Sequence, residues 1–216
     1  MIREIFTLYL ERWDFFLELF LQHLSLTAMA VGIITVLGLL AGILMTWSPL
    51  LAGLFLRITS FLYTIPSIAL FGLLVSITGI GLGSALIVIV LYGLLPMIRN
   101  TYTGIQEVDP EILEAAQGMG STPLEILWRI RLPLALPVIY SGFRTMVVMT
   151  ISLGGIASFI GAGGLGVAIW RGISINQLSM TAAGSLLIAL LAIAADLILE
   201  RLERPLRKKY VGDVNK

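Results

Sequence analysis

Residues 58–98 read ITSFLYTIPSIALFGLLVSITGIGLGSALIVIVLYGLLPMI, 41 consecutive positions without an Asp, Glu, Lys or Arg. A bilayer crossing takes about 20 apolar residues. The stretch is therefore too long for one helix and fits two, with the turn at Ile77-Thr78-Gly79-Ile80-Gly81-Leu82-Gly83-Ser84. Other charge-free runs cover 19–56, 145–170 and 172–195. The first of these holds one span, ending near Trp47-Ser48-Pro49, and feeds the next, which begins near Gly53. The reading is an all-α integral membrane protein of about five transmembrane helices, at roughly 20–46, 53–76, 82–99, 135–159 and 178–199. Spanning β-structure needs alternating apolar and polar positions, which these runs lack.

Composition agrees. Of 216 residues, 58% are apolar or aromatic and 22 more are glycine, while 12% are charged. Mean hydropathy is +0.99. Soluble domains carry about a quarter charged residues and about half apolar ones, so a soluble globule and a disordered chain are both excluded. A net charge of +1 supplies no field to recruit nucleic acid. Without cysteine there are no disulfides, thiolate chemistry or cysteine metal sites, and a single histidine leaves nothing to complete a metal centre. No metal and no bound cofactor are expected.

With five spans the two ends lie on opposite sides. Arg3, Arg12 and Arg171 fall on the N-terminal side, and the other eleven Lys and Arg residues fall on the far side, six of them from Arg201 onward. The positive-inside rule puts the N-terminus outside and the C-terminus in the cytoplasm. Residues 1–18 do not read as a secretory signal, because Glu4, Glu11, Asp14 and Glu18 are mixed into them. They read as an amphipathic segment with Ile5, Leu8, Tyr9, Trp13, Phe16 and Phe20 on one face. That face suits a membrane surface or another subunit equally. The transmembrane domain then covers 19–205 and a basic cytoplasmic tail 206–216.

The one long polar insert, 100–132, lies between spans three and four on the cytoplasmic side. Asp109-Pro110 is an N-cap followed by proline at the first helical position, and the helix stops at Gly118-Met119-Gly120. Thr122-Pro123-Leu124-Glu125 starts a second helix with a capping box. Leu132-Pro133 is expected to end it. The result is two short capped helices at a glycine corner, low in relief at Ala115 and Ala116 and suited to a cleft on another protein.

Glu114-Ala115-Ala116, then Gly120, then Ile130-Arg131-Leu132-Pro133 resembles the E-A-A-x3-G-x9-I-x-L-P motif of bacterial ABC importer permeases at every defining position. The runs Leu95–Ile105, Gly142–Thr145 and Ala157–Gly166 look like the osmoprotectant branch of that family, whose members carry glycine betaine, carnitine, choline and related quaternary amines. The similarity spans about 20–205, and residues 1–18 carry no legible match. The resemblance implies the permease fold of type I importers in a bacterial cytoplasmic membrane, and transport by alternating access. It also implies a second permease subunit, identical or related, two ABC ATPase subunits and an extracytoplasmic substrate-binding protein. Glu111, Glu114, Ala115, Ala116, Gly118 and Gly120 become the ATPase-coupling residues. The chain itself is not an enzyme, since it contains no Gly-Lys pair and hence no phosphate-binding loop.

Pathway or gating roles are read for Pro66, Arg144, Gly161, Gly163 and Gly164. Pro66 should kink span two, with Thr64 and Ser67 satisfying the freed carbonyls. Arg144 sits about eleven residues past Pro133, some 16 Å along span four. It is either a buried functional or structurally paired cation, or one that snorkels to the cytoplasm. Asp196 reads as a membrane-edge carboxylate, His23 as an interfacial polar residue, and Gly161–Gly166 as an external turn that also suits docking. Gly38 and Gly42 form a small-residue pair for close helix packing. The rival class is an ATP-independent secondary transporter or channel, which needs ionisable residues within its spans. Only Arg144 and Asp196 are available for that.

Overall fold

A computed structural model describes residues 1–210. Of the basic tail, residues 211–216, Lys216 among them, lie outside the described residues. The described chain is helical: α1 Ile2–Glu11, α2 Trp13–Met45, α3 Pro49–Thr64, α4 Ser67–Thr78, α5 Leu82–Gln106, α6 Pro110–Gly118, α7 Pro123–Ile126, a π segment Leu127–Arg131, α8 Leu132–Ala157, a 3₁₀ turn Ser158–Ile160, α9 Gly166–Ser174 and α10 Leu178–Tyr210.

Four stretches are long and apolar enough to cross a membrane unaided: Trp13–Met45, Leu82–Gln106, Pro123–Ile160 and Leu178–Leu206. The stretch expected at 53–76 as a single kinked helix is two helices, α3 and α4, bent by 97°, which together have the length and composition of a broken span or a re-entrant loop. Ile65, which precedes Pro66, is extended (φ −74°, ψ 128°), as the proline ring demands of its predecessor. The Thr64 hydroxyl donates to the Phe61 carbonyl at 2.7 Å, and the Tyr92 hydroxyl of α5 donates to the carbonyl of Ile65. The break is therefore a satisfied joint.

Leu132-Pro133 also departs from expectation: it does not end the loop's second helix. The Leu132 amide donates to the Leu127 carbonyl, five residues back. This π turn widens the coil just where the Pro133 ring would meet a carbonyl one turn earlier. The helix runs on from Pro123 to Ile160.

Helix α5 is the centre of the bundle, packed between α2 and α8. Leu26, Ala30 and Ile34 of α2, Val88 and Ile89 of α5, and Met146, Leu153 and Ala157 of α8 share its core. Gly38 and Gly42 let α2 and α5 pack closely. A Cβ at Gly38 would sit 2.5 Å from Met97 Cγ, and one at Gly42 2.5 Å from Thr101 Cβ. The N-terminal helix belongs to a second cluster, in which Ile5 and Phe16 meet Leu165, Ala168, Met180 and Ala183. The Tyr9 hydroxyl donates to the Ala183 carbonyl at 2.8 Å. The apolar face of residues 4–20 is thus spent largely on the chain's own α9 and α10, although Trp13 remains exposed.

Candidate functional site

At one end of the bundle, α6 and α7 build the polar insert. The Asp109 carboxylate accepts from the Glu111 amide at 2.9 Å. Thr122 and Glu125 close a reciprocal capping box. Two backbone amides finish α6: Ser121 donates to the Ala116 carbonyl at 3.0 Å and Gly120 to the Gln117 carbonyl at 2.9 Å. This is a Schellman end, which requires a left-handed residue, and Gly120 supplies it with φ +87°. The motif glycine is thereby explained by helix termination. The space around it is open, because Cβ atoms built on Gly118 or Gly120 meet nothing within 4 Å.

Glu111, Glu114, Ala115, Gly118 and Gly120 are exposed and form one outer surface. Ala116 is a correction: at 1% exposure it faces inward and holds α6 to its own chain, so it cannot be a docking residue. Sequence reading missed Ile112 and Met119, 43% and 81% exposed. With Ala115 they fall at i, i+3 and i+7 of one helix face, and that spacing was the signal. Together they make an exposed apolar stripe on a helix capped at both ends.

Toward the middle, Arg144 of α8 reaches α10. Its Nε and Nη2 donate to the two Asp196 oxygens at 2.5 and 2.8 Å. Glu200 and Glu203 lie within 3.4 Å of the same guanidinium. Planar two-point pairing is the geometry arginine is built for. Arg144 is thus a paired cation, and Asp196 is its partner. A cavity of about 560 Å³ opens beside the pair, lined by Ser141, Arg144, Thr145, Val148, Met149 and Asp196. Ser141, Thr145 and Ser152 recur along this exposed face of α8. Tyr63 of α3 touches it, its hydroxyl 3.2 Å from Met149 Sδ. Pro66, just beyond Tyr63, is exposed at the α3–α4 joint.

At the opposite end, Gly161, Gly163 and Gly164 all have positive φ, at 81°, 77° and 85°. They are tightly packed. A Cβ at Gly163 would lie 2.6 Å from Gln22 Oε1, and one at Gly164 3.0 Å from His23 Nδ1. The Gly164 amide donates to Gln22 Oε1 at 3.1 Å. His23 is fully buried, contrary to the interfacial reading, and its Nε2 donates to the Ile151 carbonyl at 3.0 Å. The Gly81 amide donates to the Ile160 carbonyl at 2.9 Å. The Gly161–Gly166 turn is a clasp joining α2, α5 and α8. The candidate residues thus fall at three levels: the loop, the Arg144 pair and the glycine clasp. No group of three His, Cys, Asp or Glu side chains suited to a metal occurs among the described residues.

Comparison with known proteins adds family context. Residues 34–208 match the profile described as binding-protein-dependent transport system inner membrane component. The chain is 42% identical over 207 residues to the osmoprotectant import permease protein OsmW of Salmonella typhimurium, covering 94% of this chain and 96% of that one. It is 36% identical over 215 residues to the choline transport system permease protein OpuBD of Bacillus subtilis, covering 98% and 95%. A 43% identity over 169 residues relates it to the ergothioneine transport permease/ergothioneine binding protein EgtU of Helicobacter pylori. That match covers 78% of this chain and 31% of that longer protein. Among solved structures, a chain of the inward-facing MetNI methionine ABC transporter superposes with a TM-score of 0.78 at 21% identity, over 88% of this chain and 95% of that one.

Proposed function

Since the chain belongs to the family of binding-protein-dependent transport system inner membrane components, we propose that it is the permease subunit of an ATP-driven importer of quaternary amine osmoprotectants such as glycine betaine, carnitine or choline. The substrate class rests on the names of relatives that match it over nearly their whole length. The ergothioneine relative adds a second cargo to be tested. Two permease subunits, two ATPase subunits and an extracytoplasmic binding protein make up the working assembly, with the N-terminus outside and the polar loop in the cytoplasm.

The observation that carries the proposal is the exposed Ile112–Ala115–Met119 stripe on α6. It is fixed by caps at both ends of the helix and sits in the loop that leads through α7 into the long α8 helix. Docked in a cleft of each ATPase subunit, the stripe is moved when ATP draws those subunits together. The α7–α8 helix then carries the displacement to the cavity beside Arg144. For ATP to drive transport, its bound state must favour one permease conformation over the other, and this loop is where that preference is delivered.

The test is copurification and uptake. With its ATPase, partner permease and binding protein, the reconstituted chain hydrolyses ATP and takes up a quaternary amine, and alone it does neither. Ala115→Arg puts a charge into a protein contact, where desolvation is costly. It loses the ATPase while the permease level in the membrane stays normal. Retention of ATPase and parental uptake by this variant would sink the assignment of the loop. Uptake by the chain alone under an ion gradient would favour the ATP-independent alternative.

A further inference from the structure

The seam between the end of α2 and the α7–α8 helix carries two adjoining cavities of opposite character. One, about 610 Å³, is a groove lined only by apolar side chains, including Val36, Leu40 and Ile43 of α2 and Trp128, Leu132 and Leu136 across from them. The other, about 440 Å³, has Thr46, Trp47, Gln117, Leu124 and Arg131 in its wall. The two follow one line. Val36, Leu40 and Ile43 descend a single face of α2 at helical spacing, Trp47 follows in the turn after it, and Leu136, Leu132, Trp128 and Leu124 line the facing helix. Arg131 stands where the groove meets the pocket. Its Nε is buried without a hydrogen-bond partner. The cations of the ion pairs among the described residues are the N-terminus, Arg144 and Arg204, and Arg131 is not among them. A buried guanidinium nitrogen without an acceptor is costly.

We infer that this seam is a binding site for an anionic phospholipid, with one acyl chain in the apolar groove and the phosphate on Arg131. The chemistry is complementary at each point. The groove offers hydrocarbon only. The pocket offers a cation, the Gln117 amide and the Thr46 hydroxyl. Two tryptophans, Trp47 and Trp128, exposed by 67% and 58%, mark the depth at which headgroups begin. A phosphate also supplies the acceptor that Arg131 Nε lacks. Gln117 belongs to α6, so the headgroup lies against the loop proposed to meet the ATPase. The lipid site stands on the fold and on membrane residence, independently of the cargo.

The experiment uses quenching of tryptophan fluorescence in the full chain. Trp13→Phe and Trp170→Phe remove the two tryptophans distant from the seam, leaving Trp47 and Trp128 as reporters. The chain is placed in phosphatidylcholine vesicles containing the same mole fraction of brominated phosphatidylglycerol or brominated phosphatidylcholine. One cation at a membrane surface gives about fivefold enrichment, corresponding to about 1 kcal/mol, so the brominated anionic lipid should quench at about fivefold lower mole fraction. Arg131→Gln brings the two lipids level and Arg131→Lys keeps most of the preference. Arg129→Gln, which removes an exposed neighbouring cation outside the pocket, also keeps it. Leu40→Phe, which narrows the groove, lowers quenching by both lipids. Equal quenching in the parent overturns the site, as does an equal loss of preference in Arg129→Gln and Arg131→Gln. Should Arg131→Gln fail to insert, the parental ratio and the Leu40→Phe response decide.

Discussion

Gly42 of α2 lies so close to Thr101 of α5 that a Cβ on the glycine would sit 2.5 Å from the Thr101 Cβ and 3.1 Å from the Ile98 carbonyl oxygen. Neither contact is with a flexible chain end, so a larger residue must push the helices apart. Gly42→Val is expected to lose about 1–3 kcal/mol of stability by overpacking. Gly53→Val, where a Cβ meets nothing within 4 Å, loses far less. Thermal unfolding of the two variants in detergent, followed by far-ultraviolet circular dichroism, makes the comparison.

Reversal of the α8–α10 pair tests whether Arg144 acts through Asp196. Arg144→Met leaves three carboxylates facing one another and should impair both folding yield and uptake. Asp196→Asn should do less, since Glu200 and Glu203 remain. The exchange Arg144→Asp with Asp196→Arg should recover part of what Arg144→Asp alone loses. No recovery in the double variant means that the arginine does its work elsewhere.

Glu125 gives the loop a pH response. The Thr122 backbone amide and then its hydroxyl donate to the carboxylate and hold its pKa below the ordinary glutamate value. A carboxylate with a depressed folded pKa adds stability above its unfolded pKa and loses it as the pH falls through the folded value. The start of α7 should therefore loosen on acidification below the usual carboxylate range and not on moving from neutral to alkaline pH. Hydrogen exchange of the amides at 122–126 reports it, corrected for the intrinsic pH dependence of exchange. Glu125→Gln should show faster exchange at neutral pH and no further acid-linked change.

Orientation is open to cysteine labelling, helped by the absence of any native cysteine. Gly163 is a poor place for the probe, given its positive φ and its contact with Gln22. Ile175 and Met119 are exposed by 59% and 81% at opposite ends of the bundle. Ile175→Cys should react with an impermeant maleimide from outside and Met119→Cys only after the membrane is opened. The reverse pattern overturns the orientation.

Much of this was legible because lipid and water impose periodicities that a chain cannot hide. The four charge-free runs follow from the cost of carrying charge into hydrocarbon. The capped loop follows from backbone donors at helix starts that need side-chain acceptors. What escaped depends on partners far apart in sequence. Nothing near Arg144 announces Asp196, 52 residues away, and nothing near His23 announces the Ile151 carbonyl, 128 residues away. The two prolines act differently for one reason. Pro66 and Pro133 each disturb a helix, but whether the chain bends or absorbs the disturbance depends on neighbours. At Pro66 the Tyr92 hydroxyl takes up a freed carbonyl at the bend. At Pro133 the preceding coil widens by one residue and the axis continues. Ala116 and Ala115 are adjacent and chemically identical, and only the helix phase sends one inward and the other out.

The unbroken path from Pro123 to Ile160 turns the loop and span into a lever with a fulcrum. Arg144, tied to α10, divides it into arms of 21 and 16 residues, or roughly 31 and 24 Å at ~1.5 Å per residue. A rod pushed sideways at one end and held part-way along swings its other end in the opposite sense. With these arms the far end moves about three-quarters as far. Moved as one rod about Arg144, the helix would carry a shift delivered to α7, reversed, to the glycine clasp at its other end.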